Sequence, residues 1–341
     1  MNNNQPPDNH TPDRRKFFIT GAATAAAAVG TAYVSSSYRS SSDVFIAKNQ
    51  KYSGELVRTI RDGLLACEFD PATIRGKRVL LKPNLVEPSR LAPHMTTHPV
   101  VIQAAVEVFR GWKADVTVGE GPGHVRDTEQ ALIESGVMEA LADIKMPFQD
   151  LNYQEIKAVT NAGRACKLKE FFFPRSVIEA DLVVSMPKMK THHWMGMTGA
   201  MKNLYGVIPG IKYGWPKNVL HYNGIPQTVF DINASVGNRI TIVDGIDCME
   251  GDGPILGTPK HMGLIMVGQD LTAVDATMAR LMHIIPERIP YLELASGLLG
   301  STDDRQINQR GEAWQPLADP FLILDRKHLK NMRDSNDNFV S

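Results

Sequence analysis

Hydrophobic residues along the chain fall into two patterns, short apolar runs and helical spacings, which alternate through most of its length. Short, mostly apolar segments predict strands at 77–82, 115–118, 180–186, 239–243 and 262–267. Helical spacings predict helices at 55–65, 99–112, 127–141, 228–236 and 272–283. Weaker patterns predict strands at 167–173 and 321–324 and a short helix at 327–332. Strands that alternate with helices favour right-handed crossovers, so we predict an α/β fold with a mainly parallel sheet and helices on both faces.

The segment 187–226 interrupts this pattern, because it contains Gly, Pro and His and shows little periodicity. We predict a long loop there, and loops of that length are usually functional or disordered. Residues 43–341 are expected to form the α/β domain, with lobes at about 43–180 and 181–341 and a site in the crevice between them.

The first 42 residues have the composition of an export signal and linker. Asp13-Arg14-Arg15-Lys16 precedes a weakly apolar run from Phe17 to Val34, and a Ser-rich stretch follows it. Paired arginines before such a run are typical of twin-arginine signals, although a basic turn before a buried Ala-rich helix would look similar. We expect the twin-arginine translocation machinery as a partner and a periplasmic or otherwise extracytoplasmic location. An uncleaved signal would also contact the membrane.

Polar residues follow four of the predicted strands. Asn84 follows the strand at 77–82, His124 the strand at 115–118, Lys188 the strand at 180–186 and Asp244 the strand at 239–243. Because the carboxyl ends of parallel strands meet at one edge of a sheet, we expect these four residues to border one pocket.

Basic residues are concentrated in the segment 187–202, which holds three lysines and two histidines. The non-functional interpretation is a solvated surface loop, because charged residues are mostly exposed. The functional interpretation is a cradle for an anion or a cofactor, in which glycines let the backbone approach a phosphate or carboxylate. The candidate binding residues are Lys188, Lys190, Lys202, Asn203 and Asn84.

Three histidines are the candidate acid–base residues: His124, His192 and His221. An unperturbed imidazole pKa of about 6.5 suits proton transfer near neutrality. His192 and His221 are also the candidate metal ligands. Because Met201, Leu204 and Val207 look buried around it, we expect Lys202 to point into the crevice near these two histidines.

Four acidic residues lie between 244 and 252. Asp244 and Glu250 are the candidates for orienting a substrate or a histidine. A hard-cation site and an ordinary glycine-acid turn are the alternatives for this segment.

Composition narrows the classes of protein. Hydrophobic residues make up 43% and charged residues 22% of the 341 residues, which excludes a largely disordered chain and a polytopic membrane protein. Lys+Arg and Asp+Glu are both 37, so bulk charge gives no case for nucleic acid as a partner. The three cysteines form no CxxC, so this chain cannot build an iron–sulfur cluster from them.

Motifs in the same order along the chain resemble the family catalogued as domain of unknown function 362 (DUF362). They are Val79 to Val86, Ala180 to His192, Thr198 to Gly210, Val243 to Gly245, Met249 to Pro254 and Gly268 to Ala276. Many members of that family carry a ferredoxin-like cysteine cluster, which this chain lacks. The family name assigns no activity.

A fainter resemblance concerns the nickel-pincer lactate racemases. The order Gly199, Lys202, Pro209-Gly210, His221 is similar to their cofactor segment, in which a lysine holds the organic cofactor covalently and a histidine binds nickel. The loop that ends at His124 looks like their loop with a catalytic histidine. Thr96-Thr97-His98-Pro99 lies where they bind substrate, but their arginine is absent here.

Two classes of function stay open. One is an exported enzyme, racemase- or isomerase-like or redox, that acts on a small anionic molecule with a metal or organic cofactor loaded before export. The other is a non-catalytic extracytoplasmic protein that holds an anionic ligand or a metal for a partner.

Overall fold

The computed structural model describes residues 42–124, 126–334 and 339–340. The export signal and linker predicted for residues 1–42 therefore lie outside the described residues, apart from Ser42. The strands are β1 (Asp43–Ala47), β2 (Arg78–Pro83), β3 (Asp115–Glu120), β4 (Phe148–Asp150), β5 (Ile156–Thr160), β6 (Glu170–Pro174), β7 (Leu182–Met186), β8 (Lys188–His192), β9 (Gly196–Thr198), β10 (Arg239–Glu250), β11 (Thr258–Gly268), β12 (Asn308–Gly311), β13 (Ile323–Leu324) and β14 (Phe339–Val340).

The α-helices are α1 (Leu56–Ala66), α2 (Pro99–Gly111), α3 (Thr128–Ser135), α4 (Val137–Asp143), α5 (Arg175–Glu179), α6 (Ala200–Asn203), α7 (Gly210–Tyr213), α8 (Asn218–Tyr222), α9 (Ile225–Ser235), α10 (Leu271–Leu281), α11 (Pro290–Ala295) and α12 (Lys327–Lys330). Short 3-10 turns join several of them, and the turn Leu204–Val207 directly continues α6. None of the helices in the described ranges is long and apolar enough to cross a membrane.

One large sheet organises the fold, in the order β12-β1-β11-β10-β7-β2-β3-β4, with β8 beside β10 and β9 beside β8. Its five strands from β10 to β4 are mutually parallel. The β1–β11 and β10–β11 pairs are antiparallel. This arrangement confirms the predicted α/β class with a mainly parallel sheet.

The hydrophobic core follows the predicted apolar runs. Leu56, Ile60 and Leu64 of α1 and Phe109 of α2 are buried with Val79 of β2 in one cluster. On α10, Asp270 caps the first turn by accepting from the backbone N–H groups of residues 272 and 273. Helix α10 packs against β1, β10 and β11. The strands of the sheet are thus packed against helices whose apolar stripes were visible in the sequence.

Three predicted elements differ from the structure. The helix predicted at 127–141 is two helices, because Gly136 adopts a left-handed φ of 72° between α3 and α4. The strand predicted to end near Asp244 continues as β10 to Glu250. The long loop predicted at 187–226 contains β8, β9, α6, α7 and α8. These elements are each five residues or shorter, which is too short for a periodicity to show.

The two lobes stay a prediction. The large sheet takes β2 and β3 from residues before 180 and β7 and β10 from residues after it. The strand predicted at 167–173 is found at Glu170–Pro174, but it pairs with β5 in a separate antiparallel ribbon.

Candidate functional site

A cavity of about 290 Å³ opens beyond the carboxyl ends of β2 and β3, between the end of β8 and the segment from Thr198 to His221. Its position follows from topology, because parallel strands deliver the residues that come after them to one edge of the sheet. Most of the predicted site residues border it: Asn84, His124, Lys190, His192, Lys202, Asn203 and His221. Lys202 shares the cavity with His192 and His221, as predicted.

A buried ion pair forms the floor of this cavity. The ammonium of Lys82 contacts the carboxylate of Glu120 and also donates to the carbonyl of Pro83 at 2.6 Å and to Oδ1 of Asn203 at 2.9 Å. The two charged side chains are only 1% and 3% exposed. All three protons of the Lys82 ammonium therefore have acceptors, and Lys82 serves as a fixed charge.

The Asn203 amide extends this network across the site. Its Nδ2 donates to the carbonyl of Lys82 and to Oγ of Ser185, both at 3.1 Å. Its Oδ1 accepts from Nδ2 of Asn84 at 3.1 Å as well as from Lys82. The orientation of both amides is thereby set by hydrogen bonding, and the end of β2 is tied to α6.

Gly206 allows the chain to pass directly over the ion pair. A Cβ at this position would clash with the carboxylate of Glu120 and with the amine of Lys82. The carbonyl of Gly206 also accepts from the backbone N–H of Gly121 at 3.1 Å, which joins the loop after β3 to the turn after α6. A residue without a side chain is needed for this close approach.

Three further lysines surround the cavity. Burial lowers the pKa of Lys190 well below its ordinary value, and the charges of neighbouring lysines add to the effect. Burial, followed by the charge of Lys82, lowers the pKa of Lys202 to about 8. Burial likewise lowers the pKa of Lys217 to about 7, against the opposing pull of Glu120. Against these cations the lining contributed by the described residues holds a single carboxylate, that of Glu120.

The histidines of the cavity are neutral at pH 7 because burial lowers the pKa of each. Burial lowers the pKa of His221 to about 4, and the neighbouring Lys202 adds to this shift. Burial also lowers the pKa of His124, which lies 3.6 Å from the carboxylate of Glu87. Nδ1 of His192 accepts from the backbone N–H groups of Trp194 and Met195 at 3.1 and 3.3 Å. The ring proton of His192 is therefore on Nε2, which suits hydrogen bonding to an anion.

The predicted role of Lys188 and Asp244 at this cavity is wrong. Both side chains are fully buried and pair with each other at 2.6 Å. Tyr52 donates to Asp244 at 3.1 Å, and the backbone N–H of His98 donates to it at 2.9 Å. Because β10 continues past Asp244 alongside β8, this pair is enclosed within the sheet and never reaches the strand-end crevice.

Glu250 is also outside the cavity lining. Its carboxylate accepts from the backbone N–H of Leu322 at 2.8 Å and lies 3.9 Å from Lys260. It ties the end of β10 to the C-terminal segment. The cavity receives Pro254 and Ile255 from this part of the chain in place of the acids.

Sequence reasoning missed three residues that shape the site, Lys82, Glu120 and Lys217, whereas Gly206 had been singled out for close backbone approach. Lys82 ends the strand predicted at 77–82 and Glu120 follows the strand predicted at 115–118, so placement near a strand end was a signal that could have found them. Lys217 lies in a segment with no periodicity, and only the fold brings it to the cavity.

No group of three or more His, Cys, Asp or Glu side chains that could hold a metal ion occurs in the described part of the chain. The metal-binding role of His192 and His221 therefore stays a prediction. Lys202 and His221 both border the cavity.

The chain belongs to the family described as Domain of unknown function (DUF362), whose model matches residues 79–280. A thylakoid-associated protein of Synechocystis sp. is 26% identical over 221 residues, which are 64% of this chain and 66% of that protein. The lactate racemase apoprotein from Thermoanaerobacterium thermosaccharolyticum is similar in structure at 12% identity, with a TM-score of 0.39. That match covers 59% of this chain and 50% of the racemase chain, and a score this low carries no argument about mechanism. The chain spans less than two thirds of the length of either protein.

Proposed function

We propose that this protein binds a small anionic molecule in the 290 Å³ cavity and catalyses a proton transfer on it. The observation that carries the proposal is the set of four lysines, Lys82, Lys190, Lys202 and Lys217, around one cavity with a single carboxylate. Burying like charges together is unfavourable, and a bound anion would relieve the repulsion. The cavity is of the size that suits a small ligand.

Proton transfer is supported by the protonation states of the lining groups. Lys202 and Lys217, with pKa values of about 8 and about 7, can exchange protons near neutrality. His124 and His221 supply neutral imidazoles. The fixed charge of Lys82 attracts a small carboxylate or phosphate into the cavity without contacting it directly, while one of these groups accepts or donates a proton.

Binding of an anion should raise the pKa of Lys202 and Lys217, so the complex should take up protons. We would titrate the protein with acetate, malonate and phosphate by calorimetry at pH 7.5 in two buffers of different ionisation enthalpy. The expected result is proton uptake on binding and an affinity that falls as the pH rises above about 8, because both amines then lose their charge. Binding without proton uptake would argue against the buried lysines as the site.

The alternative is a non-catalytic protein that holds the same anion for a partner. Turnover is distinguished from storage by incubating a bound carboxylate in deuterated water and following its Cα–H signal by NMR. Loss of that signal with the wild-type protein, and not with His221→Ala or Lys202→Ala, supports an enzyme. Retention of the signal with every carboxylate that binds supports a binding protein.

We further propose that the protein acts outside the cytoplasm after export by the twin-arginine route. The arginine pair Arg14-Arg15 supports this location, and the thylakoid association named for the Synechocystis relative is consistent with a site near a membrane.

A further inference from the structure

The amine of Lys217 has an unusual environment among the lysines of the cavity. Its Nζ donates to the carbonyl of Gly121 at 2.8 Å and to the carbonyl of Tyr205 at 2.9 Å. The residue is 2% exposed and borders the cavity. An amine nitrogen has four bonding directions, and here Cε and two hydrogen bonds occupy three of them. The fourth direction is left for the cavity.

Lys82 shows the contrast. Its three protons go to Glu120, Pro83 and Asn203, so no direction remains for a ligand. Lys190 is the nearest counterpart of Lys217, since it donates to the carbonyls of Met95 at 2.7 Å and Pro254 at 3.3 Å. Its second contact is longer, and the charges that lower its pKa include the nearby Lys188 and Lys202.

The backbone at Lys217 is held in a conformation that lysine disfavours. Its φ and ψ are 68° and 45°, in the left-handed region, at the residue before α8. A residue with a Cβ pays about 1–2 kcal/mol there. Left-handed residues other than glycine are enriched at functional sites, where the surrounding structure maintains them. In this conformation the side chain reaches the carbonyls of Gly121 and Tyr205.

We propose that Lys217 is the proton-transferring residue of the cavity, with its two backbone carbonyls holding the amine so that the remaining direction faces the ligand. This inference rests on the proposed function and names the group that performs it. In the neutral amine both N–H bonds are used by the carbonyls, and the lone pair takes the free direction. In the ammonium form the third N–H occupies it.

The step is balanced within the site. The lone pair of the Lys217 amine accepts a proton from a carbon or oxygen acid of the anionic ligand, and the electron pair of the broken bond stays on the ligand. The adjacent cations of Lys82 and Lys202 stabilise the resulting negative charge. Return of the proton from the Lys217 ammonium restores both partners.

The charged groups that act on Lys217 come from three elements. Glu120 on β3 favours its charged form, and Lys82 on β2 and Lys202 on α6 oppose it. His221, on the helix that follows Lys217, is neutral at pH 7 because burial lowers its pKa to about 4. Burial has the largest effect on the pKa of Lys217 and lowers it, and together with these charges it leaves both forms of the amine populated near pH 7, which supports the geometric argument.

The test uses glyoxylate, a small carboxylate that carries an aldehyde, with the full-length protein. A neutral amine adds to the aldehyde carbon, loses water to give an imine, and is fixed by cyanoborohydride, which supplies the hydride. The result is a carboxymethyl group on the reacting lysine, located by peptide mass mapping. We expect labelling of the peptide that contains Lys217, and we expect excess acetate to protect it. The control is Lys212→Met, which removes an exposed lysine near Lys217 and should leave this labelling unchanged.

Two variants separate charge from basicity. Lys217→Arg keeps the positive charge but cannot become neutral and act as a base. Lys217→Met removes the charge as well as the basic nitrogen. We expect malonate to bind Lys217→Arg within about tenfold of wild type in calorimetry, a difference worth about 1.4 kcal/mol, with loss of deuterium exchange at its methylene group.

Each other outcome is decisive. Labelling of Lys190 or Lys202 with none at Lys217, while glyoxylate binds, would overturn the inference and leave the proposed function standing. Undiminished exchange in Lys217→Arg would do the same. If wild-type protein bound neither glyoxylate nor acetate, the proposed function would fail and the inference with it.

Discussion

The Glu120→Gln substitution isolates the one buried carboxylate of the cavity with little change in shape. The glutamine keeps an oxygen that can accept from the backbone N–H of Gly121, a bond of 2.9 Å in the native protein. What it removes is the negative charge beside the Lys82 ammonium. Lys82 is 1% exposed, so water cannot replace the lost partner.

The magnitude follows from burial and from the contacts that remain. Removing one partner of a buried ion pair costs about 3–5 kcal/mol. Lys82 retains two neutral acceptors at 2.6 and 2.9 Å, so we expect the lower end, about 3 kcal/mol. At about 2–4 °C per kcal/mol, the melting temperature should fall by roughly 6–12 °C.

The pH dependence has a definite sign. Burial lowers the pKa of Lys82, and the charge of Glu120 opposes that shift in the native protein. Without Glu120, the pKa of Lys82 in the folded state falls further below its value in the unfolded state. At pH values between these two pKa values, the unfolded state binds more protons than the folded state. Stability of the variant should therefore rise with pH, and its deficit relative to wild type should be smaller at pH 9 than at pH 7.

The assay is urea unfolding at pH 7 and pH 9, with the double variant Glu120→Gln/Lys82→Met as the control. Removing both charges leaves no unpaired ion, so the double variant should recover most of the stability. A single variant within about 0.5 kcal/mol of wild type would refute the reasoning, as would a double variant less stable than the single one.

The other predictions concern the close backbone approach, a buried carboxyl group and export. Gly206→Ala should destabilise the fold by about 1–3 kcal/mol in urea unfolding, because its Cβ would meet Glu120 and Lys82. Gly123→Ala, in the same lining, should be tolerated because nothing lies within 4 Å of its Cβ. Equal losses of stability in the two variants would contradict this prediction. Burial raises the pKa of Asp275 to about 7, so between about pH 4 and 7 the folded state keeps a proton that the unfolded state loses, and stability should fall as pH rises there. Asp275→Asn should remove that fall, and an unchanged slope would count against it. Arg14→Lys/Arg15→Lys should leave the protein in the cytoplasm in a fractionation experiment, since the receptor that recognises the signal distinguishes arginine pairs from lysine pairs; normal periplasmic accumulation would disprove the signal.

Much of the parallel sheet and the position of the cavity could be predicted from the sequence. The runs at 77–82 and 180–186 have consecutive apolar residues at their centres, Val79–Leu81 and Leu182–Val184, because strands between two helical layers are buried on both faces. Residues that follow such strands lie at the carboxyl edge of the sheet, and Asn84 and His124 do border the cavity there. These inferences needed only local patterns and a general rule of topology.

The failure at Asp244 shows the limit of that rule. Its charge and the following glycine are typical of a strand end, yet β10 runs on for six more residues to Glu250. The reason is that Lys188 arrives beside it on β8 and neutralises its carboxylate, so the buried strand can continue through a charged residue. The two residues are 56 positions apart, and no local pattern contains that pairing.

The chemistry of the cavity was likewise decided by tertiary structure. The sequence alone determined which residue types follow each strand, and so it identified Asn84, His124 and Lys202 as candidates. It could not determine that Lys82 would be neutralised by Glu120, or that Lys217 would reach the carbonyls of Gly121 and Tyr205. Those facts depend on contacts between residues far apart in the chain, and on burial, which sets the pKa of each amine through the water that the folded protein excludes.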